Sequence, residues 1–345
     1  MLHLHLSIPK SLITCQSKAR SKVEAMSTEF GLAVLRAAEF CDSFNLSKES
    51  SKPRCLPLLC NGVQVGLLRP DIMKCLLQFN EVFEPVRGVD GEIKQVRLCD
   101  KLKTIEERSS ALHRLFLLLR QQHAFPCLKG WRDEVYAVSD VFGGQDYFHC
   151  ERAAAKLIGV RKYGVHINGY FYNEVGSLVM WIGKRSILKP KYPGLLDNIA
   201  AGGIRMGLGA LDTLLHECRE EASIPEEMAV KSKPVGALTY CHESVDGIEP
   251  ETIFIYDLEL PRDFVPRPHD GEVEEFQLWT VEKVKQEVAS GKFKPNCILV
   301  ISNFLIRHGL ITADKDPMYE RLTGVGHVDL FRLFTYPGNL CNGLS

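Results

Sequence analysis

The sequence predicts an α/β (α+β) protein of two packed units: a small α/β unit, then a sandwich around a mixed sheet. Three observations carry that reading. A chain of 345 residues is long enough for two cores of ordinary domain size. Its texture shifts near Tyr163, from mixed helical and extended patterns to a series of strand-like runs. Only a few helices interrupt those runs, which excludes a regular βαβ repeat. The expected division is a tail over 1–26, an N-terminal α/β unit over 27–153, the sandwich over 154–320 and a C-terminal tail over 321–345.

Each element has a local cause. Leu32, Leu35, Phe40, Cys41 and Phe44 recur at helical spacing between Phe30 and Phe44. Val63 to Leu67 alternates as a strand. Pro70-Asp71 opens a helix expected to reach Phe79, with Asp71 as its N-cap. Asp90-Gly91 is a turn signal inside a hairpin over Val86 to Leu98. Thr104 and Glu107 have capping-box spacing ahead of a helix through Leu119. In the second unit, Val165–Phe171 and Leu178–Ile182 flank a Gly176 turn. A glycine-rich loop then precedes a helix over Asp212–Ala222. Strands follow over Val235–Tyr240, Thr252–Leu258 and Val273–Trp279. A helix near Val281 and another over Asn296–His308, stopped by Gly309, close the unit.

Composition narrows the partners. The formal net charge of −1 gives no general field for nucleic acid or an anionic membrane, so a phosphate-bearing small molecule would need a local site. No apolar run is long enough to span a bilayer; the best, Cys297–Ile306, is far too short. The 12 cysteines show no paired metal spacing and read as reduced thiols, most of them small core residues. Met1 to Val23 contains no acid but has Lys10, Lys18, Arg20, Lys22 and several serines. That start suits an organelle transit peptide, mitochondrial or other, and equally a cytosolic extension with Met26 as a second start; it does not suit secretion.

The chemistry concentrates in one segment. Glu217, Glu220 and Glu221 stand at i, i+3 and i+4, which places three carboxylates on one helix face. Such triplets are common on solvated helices, but here Gly202, Gly203 and Gly207 precede them closely. Glycines let backbone approach a ligand or metal, and a hard divalent cation would relieve the repulsion between the acids. Mg²⁺ (or Mn²⁺) held by one or two carboxylates plus substrate phosphates is the arrangement this pattern suggests.

Together these residues resemble the Nudix box, GX₅EX₇REUXEEXGU, with U aliphatic. Glu217, Glu220, Glu221 and Ile224 fall on its conserved acids and last aliphatic position. Leu208, His216 and Ser223 replace its first glutamate, its arginine and its final glycine. Further segments, Tyr163–Tyr170, Tyr192–Asn198, Asp270–Phe276 and Phe304–Gly309, look like a Nudix subgroup associated with thiamine pyrophosphokinase. Stand-alone members of that subgroup carry an extra N-terminal domain, and Gly130–Glu134 looks like its end.

The resemblance implies a Nudix α/β/α sandwich and Mg²⁺-dependent hydrolysis of thiamine diphosphate and its damaged oxo and oxy forms. It implies Glu217, Glu220 and Glu221 as metal ligands, with a box glutamate or Glu272 as base. Gly202, Gly203, Lys184, Arg185 and Asp197 are the expected substrate-binding residues, though lone bases at strand ends are as often merely exposed. Two other readings stay open: a Nudix hydrolase of a nucleoside-diphosphate-type substrate, and a non-catalytic metabolite sensor. The N-terminal unit is compatible with capping the site or with forming a homodimer.

Overall fold

The computed structural model describes residues 28–334; the expected transit or tail segment over 1–26 lies outside the described residues, as do 335–345. A helix over 28–41 (α1) is followed by the short α2 (Ser43–Leu46). A four-stranded sheet then forms from β1 (Leu56–Cys60), β2 (Val63–Leu68), β3 (Phe83–Arg87) and β4 (Ile93–Leu98), ordered β2-β1-β4-β3. Helix α3 (Pro70–Leu76) links β2 to β3, and α4 (Ile105–Gln121) follows β4. The capping box forms: Thr104 Oγ1 accepts from Glu107 N at 3.1 Å and Glu107 accepts from Thr104 N at 3.0 Å. Leu112, Leu115, Phe116 and Leu119 of α4 are buried in the core beneath this sheet. A hairpin of β5 (Val135–Val138) and β6 (Phe148–Glu151) completes the unit.

The second sheet has seven strands. In chain order they are β7 (Lys162–Tyr172), β8 (Leu178–Arg185), β9 (Leu196–Asp197), β10 (Ala200–Gly203), β11 (Lys233–Ser244), β12 (Gly247–Glu259) and β13 (Val273–Thr280). Their order is β11-β12-β7-β8-β13, with β10 on β7 and β9 on β8; β12 and β7 are parallel. Helices α5 (Ala210–Ala222) and α6 (Glu226–Ala229) lie between β10 and β11. After β13 come α7 (Val281–Ala289), α8 (Pro295–Arg307), α9 (Tyr319–Gly324) and α10 (Leu330–Phe334).

Two cores clamp the sheet because side chains alternate along β7 and β8. Val165, Ile167, Val179 and Trp181 meet Leu214, Cys218 and Ala222 of α5. Tyr170, Met180 and Ile182 meet Val300, Ile301 and Phe304 of α8. Each such fully buried aliphatic side chain contributes about 1.5–3 kcal/mol. The result is the expected sandwich with a mixed sheet, behind an N-terminal unit.

Several local expectations change. Pro70 takes the first helical position, so Arg69 is the N-cap of α3 and Asp71 lies in the first turn, held by Arg69 Nη2 at 2.7 Å. That helix stops at Leu76, three residues early. Leu56–Cys60 forms β1 although Leu-Pro-Leu-Leu-Cys lacks alternation. Helix α1 opens the N-terminal segment in sequence, yet Phe30, Val34, Ala38 and Cys41 are buried in the α8-side core. From the C-terminal stretch, Leu330 packs with Phe44, Cys241 and Ile248. The ten cysteines of the described residues are free thiols.

Candidate active site

Helix α5 begins at Gly209, whose N–H donates to the Asp212 carboxylate at 2.9 Å. It ends at Ser223, which adopts the left-handed conformation with φ 53° and ψ 33°. Glycine would enter that region without strain. Here the Ser223 hydroxyl donates to Arg267 O at 2.9 Å, and Arg267 N donates to Ala222 O at 3.1 Å. The helix end is thereby tied to the 267–272 loop, and Asp270 N adds a bond to Glu220 O at 3.1 Å.

The three glutamates differ sharply in setting. Glu221 is buried and accepts from Ala201 N at 2.8 Å. Burial, then the neighbouring Glu217 and Asp197 carboxylates, push it well above the usual carboxylate range. Glu217 is half-buried against β10; burial and then Glu272 push it up to about 7. A Cβ on Gly202 would overlap the Glu217 carboxylate where it now lies, so glycine lets that carboxylate rest against β10. Glu220 sits at the rim, where Arg219 at 2.9 Å holds its carboxyl low. Glu272 is ion-paired with Lys189 and is close enough to raise both Glu217 and Glu221.

The structure thus gathers Glu217, Glu221, Glu272, Gly202 and Gly203, with Glu220 at their edge. Lys184 points elsewhere, pairing with Glu274 at 3.2 Å and Glu275 at 3.7 Å. Arg185 is occupied by Asp197 at 2.8 Å and by the carbonyls of Tyr192 and Lys191. Burial raises the Asp197 carboxyl, but Lys294, His166 and Arg185 outweigh it and hold it well below the usual range. These groups belong to a buried polar layer facing α8, where His166 Nδ1 and Asn198 Oδ1 lie 2.8 Å apart. Cys297 Sγ donates to Asp197 at 2.7 Å in the same layer.

Sequence reasoning missed a second wall. Met206 N donates to Val135 O at 3.1 Å, which docks the glycine loop on β5. Glu134 pairs with Arg152 at 2.8 Å and approaches Arg205 at 3.9 Å. Tyr136 and Arg152 face Gly203, and both arginines exert their charge on Glu217. Nothing in the spacing of residues 134–152 signals this; only the fold brings them to the box.

Would a divalent cation fit? Carboxylates pushed up by burial and mutual repulsion, beside a glycine cradle, are hard oxygen donors awaiting positive charge. They fit it. The fold and site therefore define a metal-dependent hydrolase of phosphorus-containing anhydrides. The sequence comparisons agree: one family model, described as "NUDIX domain", matches residues 162–297. Another, "Domain of unknown function (DUF4743)", matches 35–162. "Nudix hydrolase 20, chloroplastic" of Arabidopsis thaliana is 37% identical over 278 residues, spanning 77% of this chain and 72% of the relative. "Nudix hydrolase 24, chloroplastic" of the same plant is 36% identical, spanning 80% and 72%. An uncharacterized protein of Saccharomyces cerevisiae is 34% identical, spanning 76% and 80%. The chain belongs to the Nudix hydrolase family. Its activity is accordingly the hydrolysis of a diphosphate linkage, a class of reaction for which the family uses divalent metals.

Proposed function

We propose that this hydrolase, with Mg²⁺ or Mn²⁺, converts thiamine diphosphate and especially its damaged oxo and oxy forms to the monophosphate and phosphate. The observation that carries the hydrolytic part is the mutual approach of Glu217, Glu221 and Glu272, with Glu217 seated against Gly202. The thiamine part rests on the subgroup resemblance of Tyr163–Tyr170, Tyr192–Asn198 and Asp270–Phe276. The cation, when bound, neutralises charge developing on the diphosphate oxygens.

The chain's own residues do the rest. Glu217, Glu220 and Glu221 present the cation's ligands, and Gly202 and Gly203 let donor atoms and phosphate come close. A water oxygen bonds to phosphorus as the bridging P–O bond breaks, and its proton passes to Glu272 or to a box glutamate. Arg185 and Asp197 act beneath this centre by fixing the 186–195 loop, while Lys184 reaches a phosphate only by leaving Glu274. The acid-poor start of the sequence and the chloroplastic relatives support an organelle address.

The test is phosphate release from oxythiamine diphosphate, thiamine diphosphate and a nucleotide-diphosphate panel, with Mg²⁺ or EDTA, for wild type and Glu220→Gln. Metal-dependent turnover that favours the thiamine compounds and collapses in the variant is expected. Turnover confined to nucleotides would overturn the substrate, and ligand binding without any turnover would overturn the hydrolase.

A further inference from the structure

The connection from β8 to β9, residues 186–195, runs beside the 267–272 loop and is tied at both ends. Ser186 N donates to Glu272 O at 2.9 Å. Lys189 N donates to Ser186 O at 3.2 Å and Leu188 N to Ser186 Oγ at 3.3 Å, which closes a tight turn. At the far end the Arg185 guanidinium donates to the carbonyls of Lys191 and Tyr192. Between these ties the turn is inside out. Ile187 and Leu188 are 71% and 86% exposed, and Pro190 and Lys191 are exposed beside them. The Lys189 side chain folds inward, 15% exposed, and its ammonium pairs with the Glu272 carboxylate.

Turning two large aliphatic side chains to water while drawing in a lysine runs against ordinary burial preference and costs rotamer freedom. Glu272 itself stays 41% exposed, and an ion pair open to water on one side returns little stability. Stability therefore does not account for the turn. The other cations near the box are committed elsewhere. Arg152 and Arg205 lean on Glu134, Arg185 on Asp197, and Lys184 on Glu274 and Glu275, while Arg219 holds Glu220 at the rim. Lys189 is joined instead to Glu272, the acid whose charge reaches both Glu217 and Glu221.

We propose that Lys189 is the cation that takes the substrate's diphosphate: it rests on Glu272 before substrate enters and passes to a diphosphate oxygen when substrate arrives. The contact rests on the hydrolase reading above. A lysine ammonium is a point charge with three rotatable donors, on a stem long enough to change partners while its backbone stays in the turn. The diphosphate supplies the negative charge that the ammonium gives up on leaving Glu272. That exchange uncovers a Glu272 oxygen, on the acid to which the water's proton can pass. The inside-out turn is thus explained by where it holds one charge, and the 186–195 loop becomes part of the active site.

The test reads binding. The full chain is titrated by calorimetry with methylenediphosphonate, a diphosphate analogue whose bridge does not hydrolyse, at saturating Mg²⁺. Lys189→Met is expected to weaken it about 10-fold or more, the worth of a charged hydrogen bond. Lys189→Arg, which keeps the charge, stays within about 3-fold. Lys191→Met, which removes the same charge from the same loop, stays within about 2-fold. Without diphosphate, Mn²⁺ followed by spin resonance binds Lys189→Met about 3-fold more tightly than wild type, because a competing cation has left Glu272. Opposite signs for metal and diphosphate are the signature. Wild-type affinity for the analogue in Lys189→Met, an equal loss in Lys191→Met, or no binding by wild type would overturn the proposal. Joint loss of Mn²⁺ and analogue would make Lys189 a structural tie and overturn it too. Analogue binding through Lys189 in a protein that hydrolyses no diphosphate would keep the contact and remove the hydrolase. Diphosphate hydrolysis with unaltered analogue affinity in Lys189→Met would do the reverse.

Discussion

The two walls of the active site are electrostatic opposites. The α5 wall crowds Glu217, Glu220 and Glu221 onto one face, with Glu272 opposite, and burial plus repulsion raise the inner two. The β5–β6 wall brings Arg152 and, through the docked loop, Arg205, both leaning on Glu134. In the Nudix pattern an arginine and a first glutamate stand inside the box; here His216 and Leu208 occupy those positions. The positive charge nearest Glu217 comes instead from outside the helix. The contrast teaches a division of charge: one wall crowds carboxylates together, and the other brings the arginines that offset the charge of Glu217.

The most severe way to break the acidic wall leaves every carboxylate in place. In Gly202→Ala the new methyl group occupies the space of the Glu217 carboxylate, a flexible side-chain end that can swing aside. Folding then changes by about 1 kcal/mol, while kcat/KM falls on the order of 100-fold or more as the proposed metal ligand is displaced. Thermal melts and steady-state rates on the same preparation check this. An active variant would show that Glu217 works from another position.

A milder change sharpens the contrast from the cationic side. Arg152→Met keeps the aliphatic stem against Tyr136 but removes the charge that faces Glu217 and pairs with Glu134. The expected loss is roughly 10-fold in activity or metal affinity, the range for groups that orient metal ligands. Raising Mg²⁺ should recover part of it. A variant with wild-type rates at every Mg²⁺ concentration would reduce the second wall to packing.

What the sequence made legible follows the same line. Glu217, Glu220 and Glu221 are related by helix geometry alone, so three and four residues of spacing suffice to place them together. The capping box of Thr104 and Glu107 is local in the same sense. Arg152 meets Gly203 only because a four-residue strand pairs with another and a loop donates one hydrogen bond to it. Such contacts carry no period. Arg185 and Asp197 were visible as polar residues near the box, yet their mutual bond, and that of Asp197 with Cys297 on α8, required the fold. Helix α1 had a legible period, but its partner, a core some 200 residues further on, did not.

The smallest expected effect on activity lies beneath the acidic wall, on the α8 face of the sheet, and it separates stability from chemistry. His166 is buried, and burial, followed by Lys294, pushes its imidazole down to about 4. In the unfolded chain it titrates near its ordinary 6.5. Between those values the unfolded state takes up a proton that the folded state refuses, so this part of the stability is complete above pH 6.5 and is lost as pH falls towards 4. The shift corresponds to on the order of 3 kcal/mol. Urea unfolding at pH 7 and pH 4.5 should show His166→Gln losing less stability than wild type on acidification, by about 2 kcal/mol. The glutamine retains a neutral partner for Asn198, so activity at neutral pH stays within a few fold. Parallel losses in both proteins would shift the acid sensitivity to other groups. The imidazole would then count as part of the packing under the box, with no share in setting how far the fold tolerates acid.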